Sequence, residues 1–250
     1  MLKRLIKRTI SYGNQALGLP HNRTPAQIRA IKSAFVDGDL DRQRVHLIAA
    51  STQQSETVVE RQIAEFRRQH EGEIEETTGQ WRTAGGSMMS LRDRLSLDLL
   101  VRAVKPHLAV ETGTDRGASA TVILQHLDSP EGRLVSVDLA GAHSDRYGEL
   151  IPEALRGRWE LRLQYGSPLL PQVLQELAPI DLFLHDSNHS VRHMRWEYEL
   201  AWSSLRPGGC LASHDIVTGT AFEDFGSRHA DEISGGGAIG NLGFWFKRRQ

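Results

Sequence analysis

The sequence has a single cysteine, Cys210, so it cannot form an intramolecular disulfide or a zinc site built from cysteines. One thiol fits a reducing compartment, and we expect a cytoplasmic protein. No apolar run approaches the roughly 20 residues that a membrane-spanning helix needs, and the basic start lacks the apolar core of a secretory signal. The formal net charge of −1 gives no general attraction to nucleic acid.

Residues 1–87 are polar and predicted to form a helical N-terminal extension. The first ten residues have helical periodicity, with apolar side chains on one face and basic ones around it. This segment could pack on its own domain, as we expect of so short a helix, or bind a membrane surface or a partner. Further on, Thr24 and Pro25 are typical of a helix start. By its position the extension is also the candidate for contacts between copies of a homo-oligomer.

Residues 88–250 alternate short apolar runs with helical patterns. The runs HLAVET, RLVSVDL, WELRLQYG, IDLFLHD, GGCLASHD and NLGFWFKRR are predicted strands. The glycine-rich stretch ISGGGAIG is expected to be a link or a mobile flap before a last strand that turns Phe244 and Phe246 inward and Trp245 outward. This alternation predicts an α/β fold, a doubly wound, Rossmann-like, mainly parallel sheet with ligands at the carboxyl ends of the strands.

The loop VETGTDRGAS follows the first predicted strand. Gly113 and Gly117 allow a sharp turn and a close approach of the backbone to a ligand. Their spacing is G-x-x-x-G and differs from the G-x-G-x-x-G of dinucleotide binders, which argues against a nicotinamide oxidoreductase. Glu111 at the strand tip suits a ligand that carries an amino group. The alternative is a strand-to-helix turn that merely needs glycine.

Two further strand ends carry candidate ligand-binding groups. Asp138 ends the second strand about 20 residues past the glycine loop, where a carboxylate can accept hydrogen bonds from ribose hydroxyls. Gly166 and Ser167 follow the third strand and could edge a purine ring. They could equally be an ordinary turn before a helix that begins at Pro168.

The motifs ETGTDRGASA, VSVDL, DLFLHDSNHS and GGCLASHDI, in this order, resemble those of class I S-adenosylmethionine-dependent methyltransferases. Within that superfamily the chain is similar to the branch around catechol O-methyltransferase and the macrolide-sugar and cephalosporin-tailoring enzymes. The resemblance covers residues 88–250. It implies that S-adenosyl-L-methionine is bound along the strand ends, with its methionine part, ribose and adenine contacted in turn by Glu111, Gly113, Thr114 and Gly117, by Asp138, and by Gly166 and Ser167.

The resemblance also implies a divalent cation, Mg²⁺ or Mn²⁺, held by Asp186, His214 and Asp215. Asn188 departs from the D-G-D-H-S pattern of the branch, and the nitrogen ligand from His214 favours a transition ion over magnesium. A bound cation would orient an acceptor hydroxyl and lower its pKa. His189, three residues after Asp186, would be the general base.

The sequence therefore predicts an O-methyltransferase that acts on a hydroxyl of a small molecule such as a sugar or a polyketide, with catalytic His189 and Asp186. His193, four residues after His189, resembles half of a zinc site, but we expect a surface position for it because the H-E-x-x-H glutamate is missing. Two alternatives stay open. One is a metal-dependent hydrolase that uses Asp186, His189, His214 and Asp215, and the other is a non-catalytic cofactor-binding protein.

Overall fold

The computed structural model describes residues 23–33, 37–72, 89–141, 144–165 and 167–249. The predicted amphipathic helix at residues 1–10 and Gly166 lie outside these ranges. No helix in the described part of the chain combines the length and the apolar character that crossing a bilayer requires.

Seven strands form one sheet in the order β3-β2-β1-β4-β5-β7-β6. The strands β1 to β5 are parallel, whereas β7 runs antiparallel to β5 and β6 antiparallel to β7. This arrangement confirms the predicted doubly wound, mainly parallel sheet. The strands are β1 Leu108–Thr112, β2 Arg133–Leu139, β3 Trp159–Gln164, β4 Ile180–His185, β5 Leu205–Ser213, β6 Ile233–Ile239 and β7 Leu242–Lys247.

Helices cover both faces of the sheet, and each face has its own apolar core. One core combines buried residues of α2 to α5 with the strands, and the other combines α7, α8 and α9 with the opposite strand faces. The helices are α1 Pro25–Ser33, α2 Asp37–Thr52, α3 Glu56–Gln69, α4 Leu91–Val104, α5 Ala118–Gln125, α6 Glu153–Arg156, α7 Leu170–Leu177, α8 Val191–Ser204 and α9 Ala221–Arg228.

The glycine-rich stretch before the last strand is itself a strand, so the expectation of a link or a flap is wrong. Gly236 pairs with Trp245 across β6 and β7, and a Cβ at Gly236 would lie 2.2 Å from the carbonyl oxygen of Phe244. The absence of side chains lets α2 approach this edge of the sheet, since the Cα of Ser51 is 3.3 Å from the Cβ position of Gly235. Trp245 is also buried, because α9 covers the face to which it points.

The N-terminal helices pack closely against the sheet. Helices α2 and α3 add Leu40, Ile48 and Phe66 to the same apolar core as α4 and α5. Helix α1 lies on the segment after β5, where the Arg23 side chain donates hydrogen bonds to the carbonyl oxygens of Val217 and Gly219 at 2.9 and 3.0 Å. The helical character of the extension is thus present in its described part, while the domain boundary at residue 87 stays a prediction.

Candidate functional site

A cleft of about 1190 Å³ opens at the carboxyl ends of β1, β2 and β4. This is where ligands bind in doubly wound sheets, next to the point at which the strand order reverses. The volume exceeds that of most sites for a single drug-sized ligand, so there is room for a cofactor and an acceptor together. Its lining includes Thr114, Asp138, Asp186, His189, His193 and Trp196.

The glycine loop between β1 and α5 forms one wall of the cleft. Gly113 has φ +80°, and a Cβ there would lie 2.2 Å from the carbonyl oxygen of Asp186. Gly117 has φ +91° and precedes α5, where a Cβ would lie 2.8 Å from the side chain of Ile151. Both positions therefore require glycine, and the loop brings β1 against the end of β4. Thr114, at the turn of the loop, lines the cleft.

Glu111 lies below this loop and is not among the residues that line the cleft. Its Oε1 accepts a hydrogen bond from Ser136 Oγ at 2.6 Å, and its Oε2 accepts one from Ser119 Oγ at 2.8 Å. Burial raises the pKa of Glu111 to about 7, although the two serine hydroxyls act in the opposite direction. The carboxylate thus ties β1 to β2 and α5, whereas we had expected it to face the ligand.

Asp138 lies at the end of β2 and lines the cleft, as predicted. Its Oδ2 accepts a hydrogen bond from the backbone N–H of Asp115 at 3.1 Å, and its Oδ1 accepts one from that of Leu139 at 2.7 Å. The next side chain, Leu139, is 61% exposed and also lines the cleft. A fixed carboxylate beside open apolar surface suits a ligand with a polyhydroxylated part and a flat ring. By contrast, Ser167 is exposed and lies outside the lining of the cleft.

Asp186 also lines the cleft, and it contacts the buried side chain of His214. Nδ1 of His214 is 2.9 Å from Oδ1 of Asp186, and its Nε2 is 3.2 Å from Oδ2 of Asp93, at the start of α4. Burial alone would lower the pKa of His214, but the two carboxylates outweigh it and raise this pKa well above its usual value. The raised pKa favours the protonated form of His214, whose two nitrogens face Asp186 and Asp93, and Asn241 Nδ2 also lies 3.2 Å from its Nε2.

Asp215 lies beside this pair and accepts hydrogen bonds from one ammonium group and one amide group. Its Oδ1 accepts hydrogen bonds from Lys32 Nζ of α1 and from Asn241 Nδ2, both at 2.6 Å. His189 lies between the two aspartates, with Nδ1 3.5 Å from Oδ2 of Asp215 and Nε2 3.4 Å from Oδ1 of Asp186. We call Asp93, Asp186, His189, His214 and Asp215, together with Lys32, the strand-end cluster.

The predicted metal ligands do meet in space, but His214 does not fit a metal. Both of its nitrogens already face carboxylates, so neither could bind a cation without giving up such a contact. His189 lies where the third ligand would be, because ligand atoms of Asp186, His189 and Asp215 come within 4.8 Å of one another. The Lys32 ammonium on Asp215 opposes a cation at this place as well.

Comparisons of this chain with known proteins indicate which family it is similar to. Residues 110–216 match the family model of a methyltransferase domain. This region of the chain is therefore similar to a methyltransferase domain. The match spans β1 to the end of β5, and it includes the glycine loop, Asp138 and the segment DLFLHDSNHS. The match agrees with the predicted resemblance to methyltransferases.

Solved structures of methyltransferases share the fold of most of this chain. An O-methyltransferase from Bacillus cereus, solved with SAH, superposes with a TM-score of 0.54 at 20% identity, covering 72% of this chain and 90% of that one. The O-methyltransferase TomG from Streptomyces achromogenes, involved in tomaymycin synthesis and solved with SAM, gives 0.51 at 17%, covering 76% and 90%. A methyltransferase from Geobacter sulfurreducens gives 0.54 at 20%, covering 65% and 81%. No curated protein matches the chain in sequence.

The floor of the cleft contains a buried polar network that the sequence did not predict. Glu197 of α8 accepts a hydrogen bond from Thr112 Oγ1 at 2.6 Å and from Ser187 Oγ at 2.9 Å. Its oxygens also lie 2.6 Å from Nδ1 of His185 and 2.9 Å from Nε2 of His193. Although burial acts to raise it, the pKa of Glu197 is far below its usual range because of these histidine bonds.

His193 lines the cleft with a side chain that is 33% exposed, and it is outside the group of side chains near enough to share a cation. Position i+4 on α8 connects it to Glu197, a spacing that is visible in the sequence. Trp196 also lines the cleft, whereas Tyr198 is buried and bonded to Ser213. These roles depend on which face of α8 meets the sheet, and the sequence alone left that open.

Proposed function

We propose that this protein is an S-adenosylmethionine-dependent O-methyltransferase that acts on a hydroxyl of a small molecule. The observation that carries the proposal is one cleft, in the region similar to a methyltransferase domain, that is lined by Asp138 and Leu139 together with Asp186 and His189. The bound SAH and SAM of the Bacillus cereus and Streptomyces achromogenes proteins support the same cofactor here.

The residues of the cleft fit this cofactor. Gly113 lines the cleft at a positive φ, so the loop backbone can approach an amino-acid group closely. Asp138 keeps free lone pairs beyond its two backbone hydrogen bonds, and these can accept hydrogen bonds from ribose hydroxyls. The open side chain of Leu139 offers apolar contact to a purine ring. When bound, S-adenosylmethionine supplies a methyl group from its sulfonium.

His189 is the proposed general base, and Asp186 is the proposed partner that orients it. The ring of His189 lines the cleft between two carboxylates that would stabilise it once it is protonated. In the reaction, the acceptor oxygen forms a bond to the methyl carbon while the carbon–sulfur bond breaks and its electron pair stays on sulfur. The hydroxyl proton goes to His189, so charge and atoms balance.

A turnover assay tests this proposal. The protein is incubated with S-adenosylmethionine and a panel of hydroxylated probes, namely catechols, methyl glycosides and hydroxylated macrolides, and S-adenosylhomocysteine formation is measured by mass spectrometry. We expect product with at least one probe and its loss in His189→Gln. Binding of S-adenosylhomocysteine without turnover across the panel would favour a non-catalytic binding protein. Probe hydrolysis that is independent of the cofactor and requires added metal would favour the hydrolase.

A further inference from the structure

We propose that Lys32, on helix α1 of the N-terminal extension, takes the place of a divalent cation in the strand-end cluster and positions Asp215 against His189. This inference rests on the proposed methyl transfer and adds a positioning residue to it. It also makes the extension a part of the active site, because Lys32 lies far from the methyltransferase domain in sequence.

The two oxygens of the Asp215 carboxylate have different partners, and Lys32 contacts only one of them. Oδ1 accepts hydrogen bonds from the ammonium of Lys32 and from the amide of Asn241, both at 2.6 Å. Oδ2 is left to face Nδ1 of His189 at 3.5 Å. With one oxygen fixed from behind, the carboxylate cannot turn away from the imidazole. Lys32 therefore acts on the base through Asp215.

Lys32 supplies the cluster with a positive charge of its own. Its ammonium lies 2.6 Å from Oδ1 of Asp215. A divalent cation between Asp186 and Asp215 would lie within a few ångströms of this ammonium, and like charges at such short range repel each other.

The fold holds Lys32 in this place from two sides. At the start of the segment, the backbone N–H of Arg23 donates to the carbonyl oxygen of Thr218 at 2.8 Å, and its side chain donates to the carbonyls on either side of Thr218. Along α1, Ile28 and Ile31 pack against the apolar core of the α8 face. The ammonium thus approaches Asp215 from a docked helix.

Binding of Mn²⁺ alone, followed by electron paramagnetic resonance, tests the inference without any acceptor. We expect wild type and Lys32→Arg to bind no Mn²⁺ up to about 1 mM, which is the weak end of specific binding. Lys32→Met removes one positive charge and leaves Oδ1 of Asp215 with the amide of Asn241 alone. We expect this variant to bind one Mn²⁺ at least tenfold more tightly than wild type, and to lose it again in the double variant Lys32→Met/Asp186→Asn.

Two results would overturn the inference. One is a single Mn²⁺ bound by wild type and lost in Asp186→Asn, which would make the cluster a metal site. The other is a folded Lys32→Met variant that binds no Mn²⁺, which would mean that Lys32 does not fill a cation's place. If Lys32→Met does not fold, Lys32→Gln replaces it. Calorimetry with S-adenosylhomocysteine on the same proteins keeps the proposed function separate, since its failure would appear in wild type whatever Mn²⁺ does.

Discussion

His193 Nε2 lies 2.9 Å from Oε1 of Glu197, and this contact connects the lining of the cleft to a buried, ionised carboxylate. Glu197→Gln removes the charge that His185 and His193 both face and leaves buried donors without a good acceptor. We expect this variant to lose roughly 2–4 kcal/mol of unfolding free energy. Thr112→Val removes a single hydrogen bond to the same carboxylate and should lose about 1 kcal/mol. Urea denaturation at pH 7 compares them, and equal losses would mean that the charge does not matter.

Glu111 predicts a pH dependence of stability with a definite sign. Its folded-state pKa of about 7 lies above the unfolded value, so the native state binds the proton more tightly. The stability from this group is present below about pH 4.5 and is lost as the pH rises through 7, by at most about 3 kcal/mol. The free energy of unfolding of Glu111→Gln, measured by urea titration, should therefore rise relative to that of wild type between pH 5 and 8. A constant difference across that range would contradict the burial argument.

Three carboxylates with lowered pKa values predict the opposite behaviour in acid. Burial acts to raise the pKa values of Asp186, Glu197 and Asp215, but the histidines and Lys32 that face them outweigh it and hold these pKa values below their unfolded values. Their contribution is present above about pH 4 and is lost as the pH falls below that value. Thermal melts from pH 6 to pH 3 should show a steep fall in Tm for wild type and a shallower one for Glu197→Gln. Parallel curves would exclude Glu197 as a main source of acid sensitivity.

Gly113 can be tested against a glycine in an ordinary backbone region. Gly113→Ala places a Cβ 2.2 Å from the carbonyl oxygen of Asp186 at a positive φ, so the loop must move. We expect a loss of more than about 1 kcal/mol together with weaker S-adenosylhomocysteine binding. Gly157→Ala, with φ −62° and nothing within 4 Å of the added Cβ, should stay within about 0.5 kcal/mol of wild type. If Gly113→Ala and Gly157→Ala both changed the free energy of unfolding by a similarly small amount, the close approach of Gly113 to Asp186 would not require glycine.

Sequence reasoning predicted the parallel part of the sheet because each apolar run ends in a glycine or a polar strand tip. It missed β6, since four of the residues in Ser234–Ala238 are glycine or serine and strand propensity is low there. That strand forms because the neighbouring β7 and α2 cover the glycines closely, and this depends on tertiary packing.

The candidate site, like the sheet, was predicted only in part from the sequence. Asp138, Gly113 and Asp186 lie at strand ends, so local sequence sufficed to place them in the cleft. The partners Asp93, Lys32 and Asn241 come from segments far apart in sequence, and only the folded chain shows that they surround His214 and Asp215. The N-terminal extension had no motif to indicate that it would deliver a lysine to the strand-end cluster.

The most direct measurement of the central claim is calorimetric titration of wild type, Asp138→Ala and Ser167→Ala with S-adenosylhomocysteine. Wild type should bind one molecule per chain. Asp138→Ala should bind at least tenfold more weakly, a loss of about 1.4 kcal/mol. Ser167→Ala should match wild type within about twofold, because Ser167 does not line the cleft. No binding by wild type, or equal affinity in Asp138→Ala, would contradict the account.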